Sequence, residues 1–259
     1  WTVAIGARVD DNEKFGTFVT SRVSASLRVA PSTRLRAAWG TAFKEPAFAE
    51  VFNTSFTRGN PTLEPERSRS VEASVAQELF AGRARATATW FSQRFRDRVD
   101  FLAFPPDSGV FGTFDNTGRA LADGVELELR VHAFANLAVA ASYAYLETEI
   151  AEDEFNREGQ RLLRRPAHTA TATAFYTGER GSLFATVQRV GSRHDVGYVK
   201  LPWYTLIDLG GEFRLLRGPS LDVSLTARVE NALDEEYEAV VGYRAPGLRA
   251  LFGAAVRAW

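Results

Sequence analysis

The sequence predicts an all-β protein, namely the wall of an antiparallel, up-and-down transmembrane β-barrel with about twelve strands. Three observations lead to this fold class. Apolar and polar residues alternate along the chain, which is typical of strands whose two faces meet different surroundings. The alternating segments reach ten or more residues, whereas soluble strands average about 5–6 and tilted membrane strands need about 9–11. Short turns and long polar loops also alternate, as they do at the two ends of a membrane barrel.

The alternation is clearest between Val125 and Ala133, and segments 221–230 and 19–29 repeat it. Successive side chains of a strand point to opposite faces of the sheet, so each segment has one apolar and one polar face. A face rich in Ala, Val and Leu suits lipid, and a charged face suits an aqueous lumen. The residues expected to face lipid are Val125, Leu127, Leu129 and Val131, and those expected to face the lumen are Glu126, Glu128 and Arg130.

Turns and loops of two lengths separate the predicted strands. In chain order these strands are 2–9, 17–30, 33–43, 69–80, 83–101, 120–134, 137–149, 167–177, 182–193, 204–216, 220–231 and 247–259. Tight turns are expected at 31–32, 81–82, 135–136, 178–181 and 217–219, and longer loops at 10–16, 44–68, 102–119, 150–166, 194–203 and 232–246. Gly, Pro and Asn mark many of these connections.

Aromatic residues are expected near both ends of the strands, because the two membrane interfaces favour them. The group expected at the periplasmic end, beside the short turns, is Phe80, Phe134, Tyr176, Phe213 and Trp259. The group expected at the outer end, beside the long loops, is Trp39, Phe43, Trp90, Tyr143 and Tyr145. Together they predict two aromatic girdles.

The composition excludes several classes of function. The 31 basic and 32 acidic residues leave a net charge of −1, so the basic excess expected of a nucleic-acid-binding protein is missing. The lack of Cys excludes disulfide scaffolds and thiol catalysis. The sequence also has no nucleophile elbow, zinc helix or P-loop. We therefore expect neither an enzyme nor a cofactor nor a nucleic-acid partner. The chain begins at Trp1 and contains no Met, and we expect a fragment or a processed piece.

The longest loop, within residues 41–70, carries a family resemblance. It reads TAFKEPAFAEVF, NTSFTR and GNPTLEPERSRS. A Phe-x-x-Pro segment followed by Asn-Pro-x-Leu-x-Pro-Glu resembles the most recognisable motif of the TonB-dependent outer-membrane receptors. Four further pieces resemble this family in its own order, namely AIGARVDD, DNTGRALADGVELEL, GQRLLRRPAHTATATAFY and RVENALDEEYEAVVGYRAPGLR. Two details depart from it. Leu248 interrupts the Pro-Gly-Arg pattern of the last loop, and Arg257 takes a usually apolar position in the last strand.

The resemblance implies a transport function. Receptors of this family are plugged 22-stranded barrels that import siderophores, haem, vitamin B12 and similar scarce nutrients. It implies a place in the bacterial cell outer membrane, in contact with lipid and lipopolysaccharide. It also implies a metal chelate or a cobalamin-like ligand as cargo, and the TonB energy-coupling complex as a partner through the missing N-terminal plug.

The resemblance further implies that residues 1–259 are the C-terminal portion of the receptor barrel, and that the plug domain and the first ten or so strands are absent. Twelve strands would then be about half of the family's wall. We expect an open, strongly curved sheet, because closing the wall at twelve strands would demand a different shear and tilt. No hydrogen-bond ladder is therefore expected between segments 2–9 and 247–259.

The candidate ligand-binding residues lie in or beside the outer loops. They are Phe43, Lys44, Asn60, Arg164, His168 and His194. The first three belong to the motif loop, and the histidines fall near the outer strand ends, where a solvated loop histidine is the plain alternative. Haem receptors of the family use a His within the motif loop, and Phe43 to Leu63 contains none, which argues against haem. No metal site is expected.

Some alternatives stay open at the level of sequence. The basic residues of the loop at 150–166 have three possible roles: contact with lipopolysaccharide phosphates, contact with an anionic chelate, or balance of the neighbouring acids. These residues are Arg157, Arg161, Arg164 and Arg165. For the whole protein, the alternative to a receptor is a passive porin-like or structural outer-membrane barrel. A soluble β-rich binding protein is a third reading.

Overall fold

The computed structural model describes residues 1–105, 108–116, 118–153 and 157–258. Its strands are β1 (Thr2–Asn12), β2 (Gly16–Ala30), β3 (Thr33–Lys44), β4 (Glu66–Leu79), β5 (Ala84–Arg96), β6 (Val99–Ala103), β7 (Gly112–Asn116), β8 (Arg119–Phe134), β9 (Leu137–Glu152), β10 (His168–Gly178), β11 (Gly181–Val190), β12 (Arg193–Asp195), β13 (Val199–Leu201), β14 (Tyr204–Arg217), β15 (Leu221–Glu230), β16 (Glu238–Val240), β17 (Tyr243–Arg244) and β18 (Arg249–Ala258). A short helix, α1 (Phe48–Phe52), lies between β3 and β4.

A single antiparallel sheet of twelve strands forms the wall, and each strand of the wall corresponds to one predicted strand. Its order is β1-β2-β3-β4-β5-β8-β9-β10-β11-β14-β15-β18. The three remaining strand pairs, β6–β7, β12–β13 and β16–β17, are small hairpins within the long loops. Tight turns and long loops alternate along the chain, so all the long loops, with these three small hairpins, lie at one end of the wall. We call this end the loop end. The predicted all-β, antiparallel fold class is confirmed.

Two of the predicted strands extend beyond the ends of the observed strands. The strand expected at 83–101 ends at Arg96, because Asp97 takes a positive φ of 56° and redirects the chain into β6. The strand expected at 182–193 likewise divides into β11 and the start of β12. The alternating pattern continues through both corners, so periodicity alone does not reveal them. Phe80, expected at a strand end, lies in the β4–β5 turn with a φ of 53°.

The sheet is open at both edges. Among the described residues, β1 pairs only with β2, and β18 pairs only with β15. The expected absence of a ladder between the two ends of the chain is therefore confirmed. Trp259, the last residue of the expected periplasmic girdle, lies outside the described residues.

Strand register places apolar residues on one face of the wall. Leu127 of β8 pairs with Ala88 of β5 and Tyr143 of β9, while its neighbour Glu128 pairs with Thr87 and Ser142. One apolar row crosses eight strands through Ala84, Val131, Val139, Ala174, Ala185, Leu209, Val229 and Ala250. We call this side the apolar face and the opposite side the polar face. The expected separation of the β8 side chains into two sets is confirmed.

The expected outer aromatic residues lie on the apolar face. Strand register places four of them on the same side of the sheet as the apolar row, namely Trp39, Trp90, Tyr143 and Tyr145. Many large apolar side chains of this face are exposed, with Leu127 at 45% and Phe252 at 82%. Large buried apolar side chains occur instead at the loop end, as Val51, Leu63 and Ile150 illustrate. None of the described helices is long and apolar enough to cross a membrane.

Candidate functional site

The loop end is organised by two assemblies of loops. The first assembly consists of residues 45–65 and the β6–β7 hairpin. Its two parts join as a small parallel bridge between Arg58 and Thr113. The Arg58 N–H donates to the Gly112 carbonyl at 2.8 Å, and the Phe111 N–H donates to the Phe56 carbonyl at 2.8 Å. Because these bonds join backbone to backbone, the segment over 45–65 is held as a folded structure rather than as an extended loop.

Two asparagines clamp the first assembly. The Asn116 amide donates to the carbonyls of Glu64 at 2.9 Å and Asp97 at 2.7 Å, and its oxygen accepts from the Glu64 N–H at 2.8 Å. The Asn60 amide donates to the Phe114 carbonyl at 2.9 Å, and its oxygen accepts from the Thr62 N–H at 3.0 Å. Asn60 was predicted from the motif as a ligand contact. The structure shows its side chain bonded within the loop, and a ligand contact stays a prediction.

Gly59 allows two parts of this loop to approach each other closely. A Cβ atom at this position would lie 2.5 Å from the carbonyl oxygen of Val51 and 2.7 Å from the backbone nitrogen of Asn53. Only a glycine therefore lets the chain pass this close to the end of α1. The close approach buries Val51 and Leu63 beneath the loop, which gives the first assembly a small core of its own.

The first assembly presents aromatic rings to solvent. Phe48 and Phe52 are one helical turn apart on α1, and their ring centroids are 4.8 Å apart. Phe56 and Phe111 face each other with centroids 6.5 Å apart. The four rings, which we call the aromatic cluster, are exposed at 78%, 51%, 72% and 70%. The Lys14 ammonium lies 4.4 Å from the Phe52 centroid. Sequence reasoning missed this cluster, although Phe recurs at every fourth position from 48 to 56.

The second assembly consists of residues 157–167, 191–203 and 231–248 of three loops. It is centred on Asp195, whose side chain is completely buried. Its carboxylate accepts from the Arg164 guanidinium at 2.6 Å and from the N–H groups of Val196 and Val241, each at 2.7 Å. These donors come from three different loops, so a single carboxylate joins them. Nearby, the Arg193 guanidinium donates to the Glu238 carbonyl at 2.5 Å. Nothing in the sequence pattern had distinguished Asp195 from a solvated loop acid.

The electrostatics of Asp195 favour its charged form. Burial by itself raises the pKa of this carboxyl. The Val241 N–H, the Arg164 guanidinium and the Val196 N–H together outweigh burial and hold the pKa below its ordinary value. A buried carboxylate with three donors is stable as an anion. Asp195 therefore acts as a fixed negative charge that holds the second assembly together.

Arg157 connects the two assemblies. Its guanidinium donates to Asp153 at 2.6 Å and to Asp100 of β6 at 3.1 Å. The hydrogen bond that Arg157 donates to Asp153 is the main reason why the pKa of Arg157 is raised. In the same loop Arg161 pairs with Glu147 at 2.7 Å, and Arg164 pairs with Asp195. Three of the four basic residues of this loop thus bond to carboxylates of the protein.

The structure brings together two of the six predicted site residues. The Arg164 N–H donates to the His194 carbonyl at 2.7 Å, so both residues belong to the second assembly. The His194 ring stacks on Tyr198 with centroids 4.1 Å apart. His168 lies elsewhere, at the start of β10, and its Nδ1 is 2.8 Å from the Tyr143 hydroxyl on the apolar face.

Phe43 and Lys44 end β3, at the foot of the first assembly. The Phe43 ring stacks on Phe18 with centroids 4.5 Å apart. The Lys44 ammonium pairs with the Glu66 carboxylate at 3.2 Å. The roles of all six residues in ligand binding stay predictions. Within the described part of the chain, no group of three or more His, Asp or Glu side chains is placed to hold a metal ion.

Comparison with known proteins identifies the family. Residues 1–232 match the family described as TonB dependent receptor-like, beta-barrel. The vitamin B12 transporter BtuB of Vibrio cholerae is 26% identical over 253 residues, which are 95% of this chain and 38% of the transporter. BtuB of Vibrio vulnificus is 26% identical over 246 residues, which are 92% of this chain and 36% of that protein.

Solved structures share the fold. The ferric enterobactin receptor PfeA of Pseudomonas aeruginosa superposes with a TM-score of 0.76 at 17% identity, over 99% of this chain and 42% of the receptor. The siderophore receptor PirA of Acinetobacter baumannii gives a TM-score of 0.74 at 16% identity, over 98% of this chain and 43% of that receptor. The chain thus spans less than half the length of these relatives, which are transporters and receptors rather than enzymes. With twelve strands of barrel wall and a family match over most of its length, the chain belongs to the TonB-dependent receptors.

Proposed function

We propose that this chain is part of an outer-membrane receptor that actively imports a scarce nutrient with energy from the TonB complex. The observation that carries the proposal is the family match over residues 1–232, joined to 26% identity with vitamin B12 transporters over 95% of the chain. In the proposed setting, the bacterial cell outer membrane, the apolar face contacts lipid and lipopolysaccharide. The polar face lines the aqueous interior, and the loop end faces outward.

The aromatic cluster supports a ligand that is itself large and partly apolar. Exposed Phe rings gain free energy by burying the apolar surface of a partner, and they do not coordinate metal ions. Lys14 beside Phe52 adds positive charge next to the cluster, and Arg58 beside Phe104 adds positive charge elsewhere in the same assembly. Such a surface suits a nutrient that arrives as a finished complex. A cobalamin or an iron–siderophore complex fits this description, and the sequence relatives make cobalamin the first probe.

The ion pairs and hydrogen bonds between the loops support a role for these loops in binding the nutrient. Arg157 ties the two assemblies to each other, and Asp195 ties the loops of the second assembly together. Little conformational entropy is therefore lost when a ligand binds. After capture, the ligand would pass along the polar face once the plug moves. That face mixes charges of both signs, such as Arg36 of β3 and Glu72 of β4, and so keeps the passage hydrated.

Uptake by intact cells tests the proposal. The full-length protein is produced in a strain that lacks its own cobalamin and siderophore receptors, with TonB present or absent. Radiolabelled cyanocobalamin and a ferric catecholate siderophore serve as probes, and glucose diffusion serves as the control for passive leakage. The proposal predicts saturable uptake of one probe that requires TonB. Uptake that is linear with concentration and indifferent to TonB would instead support a passive porin-like barrel.

A further inference from the structure

Four arginines occupy two neighbouring register pairs of the wall. Arg67 of β4 pairs with Arg96 of β5, and two residues further along Arg69 pairs with Arg94. Directly paired side chains have Cβ atoms about 4.5–5.5 Å apart, and like charges in such pairs destabilise a sheet. All four side chains are exposed. We call this group the arginine cluster; its repulsion requires a compensating partner.

The arginine cluster lies on the apolar face, away from the interior of the barrel. Arg67 and Arg69 are four and two residues from Val71, and Val71 pairs with Trp39 in the apolar set. Arg94 and Arg96 are likewise four and six residues from Trp90. Side chains two residues apart share a face. Nutrients that travel along the polar face therefore do not meet these four guanidinium groups.

The cluster sits just beyond the aromatic girdle. Arg69 lies two residues closer to the loop end than Val71, and this separation is about 7 Å along the strand. Its guanidinium carbon lies 5.7 Å from the ring centroid of Trp39, and that of Arg67 lies 5.7 Å from Phe18. Tryptophan rings of a membrane wall mark the level of the lipid headgroups. The guanidinium groups thus stand where headgroup phosphates are found.

Most of the charge of the cluster is not neutralised by the protein. Arg94 pairs with Asp123 at 2.9 Å. Within the described residues, no carboxylate is within salt-bridge distance of Arg67, Arg69 or Arg96. A cavity of about 530 Å³ runs over this region, and it is lined by all four arginines together with Phe18 and Phe43. Positive charge, a concave surface and apolar walls therefore occur together.

We propose that the arginine cluster binds a phosphate of a phosphorylated glycolipid, the lipopolysaccharide of the outer leaflet. The inference rests on the proposed place of this chain in the outer membrane. Guanidinium groups form bidentate hydrogen bonds with phosphate oxygens, and adjacent guanidinium groups that repel one another are drawn together by a shared anion. The apolar face below the cluster lies beside the acyl chains of the same lipid. The basic loop residues Arg157, Arg161 and Arg164 already bond to carboxylates.

The test compares two pairs of arginines in the full-length receptor. The test variant is Arg67→Gln with Arg96→Gln. The matched control is Arg85→Gln with Arg130→Gln, since Arg85 and Arg130 are also a direct pair between neighbouring strands, but on the polar face and near the opposite end. Each protein is purified in detergent free of lipopolysaccharide. Binding of purified lipopolysaccharide, of dephosphorylated lipopolysaccharide and of inorganic phosphate is then measured, together with the unfolding temperature.

The proposal predicts that lipopolysaccharide binds the test variant about tenfold or more weakly than the wild type, because charge-assisted hydrogen bonds are lost. The control should bind like the wild type. Lipopolysaccharide should raise the unfolding temperature of the wild type and control but not of the test variant. Without lipid, the test variant should be at least as stable as the wild type, because a like-charge pair is removed.

Three results would overturn the proposal. These are equal lipopolysaccharide affinity in the test variant and the wild type, equal affinity for dephosphorylated lipid, and binding of inorganic phosphate as tight as that of the lipid. The last result would assign the cluster to free anions. Because this assay reads binding in detergent, it is independent of nutrient uptake. A receptor that binds the lipid but imports nothing would contradict the proposed function alone.

Discussion

At the scale of single residues, the loop end depends on a few buried or half-buried polar side chains. Asp195 joins three loops through one carboxylate, and Asn116 joins Glu64 and Asp97 through one amide. A loop that must stay open to solvent cannot bury a large core, so hydrogen bonds to buried groups take its place. Asp195 did not stand out in the sequence, because a loop Asp is ordinarily a solvated turn former. Asn116 belongs to the motif piece DNTGRALADGVELEL, but its place in that motif did not reveal which backbone groups it binds.

Replacement of Asp195 by Asn should loosen the second assembly. The amide keeps an acceptor oxygen but loses the charge that holds Arg164, and the expected cost is about 1–3 kcal/mol of local stability. Hydrogen exchange should therefore quicken at Val196 and Val241, whose N–H groups donate to this side chain. Exchange in the first assembly should be unchanged. Equal protection of both N–H groups in the variant and the wild type would contradict this account of Asp195.

The same site predicts a dependence on pH. The pKa of Asp195 is lower in the folded protein than its ordinary value, so its contribution to stability is fully present above the unfolded pKa of about 3.9. That contribution is lost as the pH falls through the folded pKa. Protection of the Val241 N–H should accordingly decline in acid below about pH 4 in the wild type. In Asp195→Asn the protection should be low throughout and should not vary with pH in this range.

At the scale of elements, the strands of the wall were predictable and the small hairpins were not. Along a strand of the wall, apolar and polar side chains alternate over ten or more residues. The local sequence is therefore enough to predict such a strand. The β6–β7 hairpin has strands of five residues and owes its place to Arg58, Asn60 and Glu64 of another loop. Contacts between residues of different loops produce no periodic pattern in the local sequence. Arg164 and His194 meet for the same reason, through their common neighbour Asp195.

Leu127 tests the assignment of the two faces. Its pairs are Ala88 and Tyr143 on the apolar face, and Leu127→Arg should destabilise the membrane-inserted barrel by about 2–4 kcal/mol if it lies near the midplane of the bilayer. Ser142→Arg on the polar face is the control, since Ser142 pairs with Glu128 and opposite charges there are favourable. Urea unfolding in lipid vesicles measures both changes. Equal costs for the two variants, or a larger cost for Ser142→Arg, would exchange the faces.

At the scale of the whole molecule, the sheet is an open wall. Both edges, β1 and β18, present backbone groups without a partner in the described residues, and such edges are costly in lipid. The large exposed area of the apolar face fits the same setting. The open form was predictable from the family resemblance together with strand counting. The aromatic cluster was not, because its Phe56–Phe111 pair forms only when 45–65 folds against the β6–β7 hairpin.

The orientation of the whole wall is tested by two cysteines, since the chain has none of its own. Ser55 lies in the first assembly, and Ser220 lies in the turn between β14 and β15 at the opposite end. Both residues are exposed. In an otherwise cysteine-free receptor, Ser55→Cys should react with an impermeant thiol reagent on intact cells. Ser220→Cys should react only after the outer membrane is opened, and the reverse pattern would invert the topology.

The central claim is that the loop assemblies of this chain capture the nutrient, and equilibrium binding to intact cells that lack TonB measures capture without transport. Labelled cyanocobalamin and a ferric catecholate siderophore are titrated against the wild type, Phe56→Ala with Phe111→Ala, and the control Phe80→Ala, whose ring is exposed in the opposite turn. The account predicts that the double variant binds the recognised probe about tenfold or more weakly, as loss of two central aromatic contacts requires, while Phe80→Ala binds normally. Unchanged affinity in the double variant, or no saturable binding of either probe by the wild type, would contradict it.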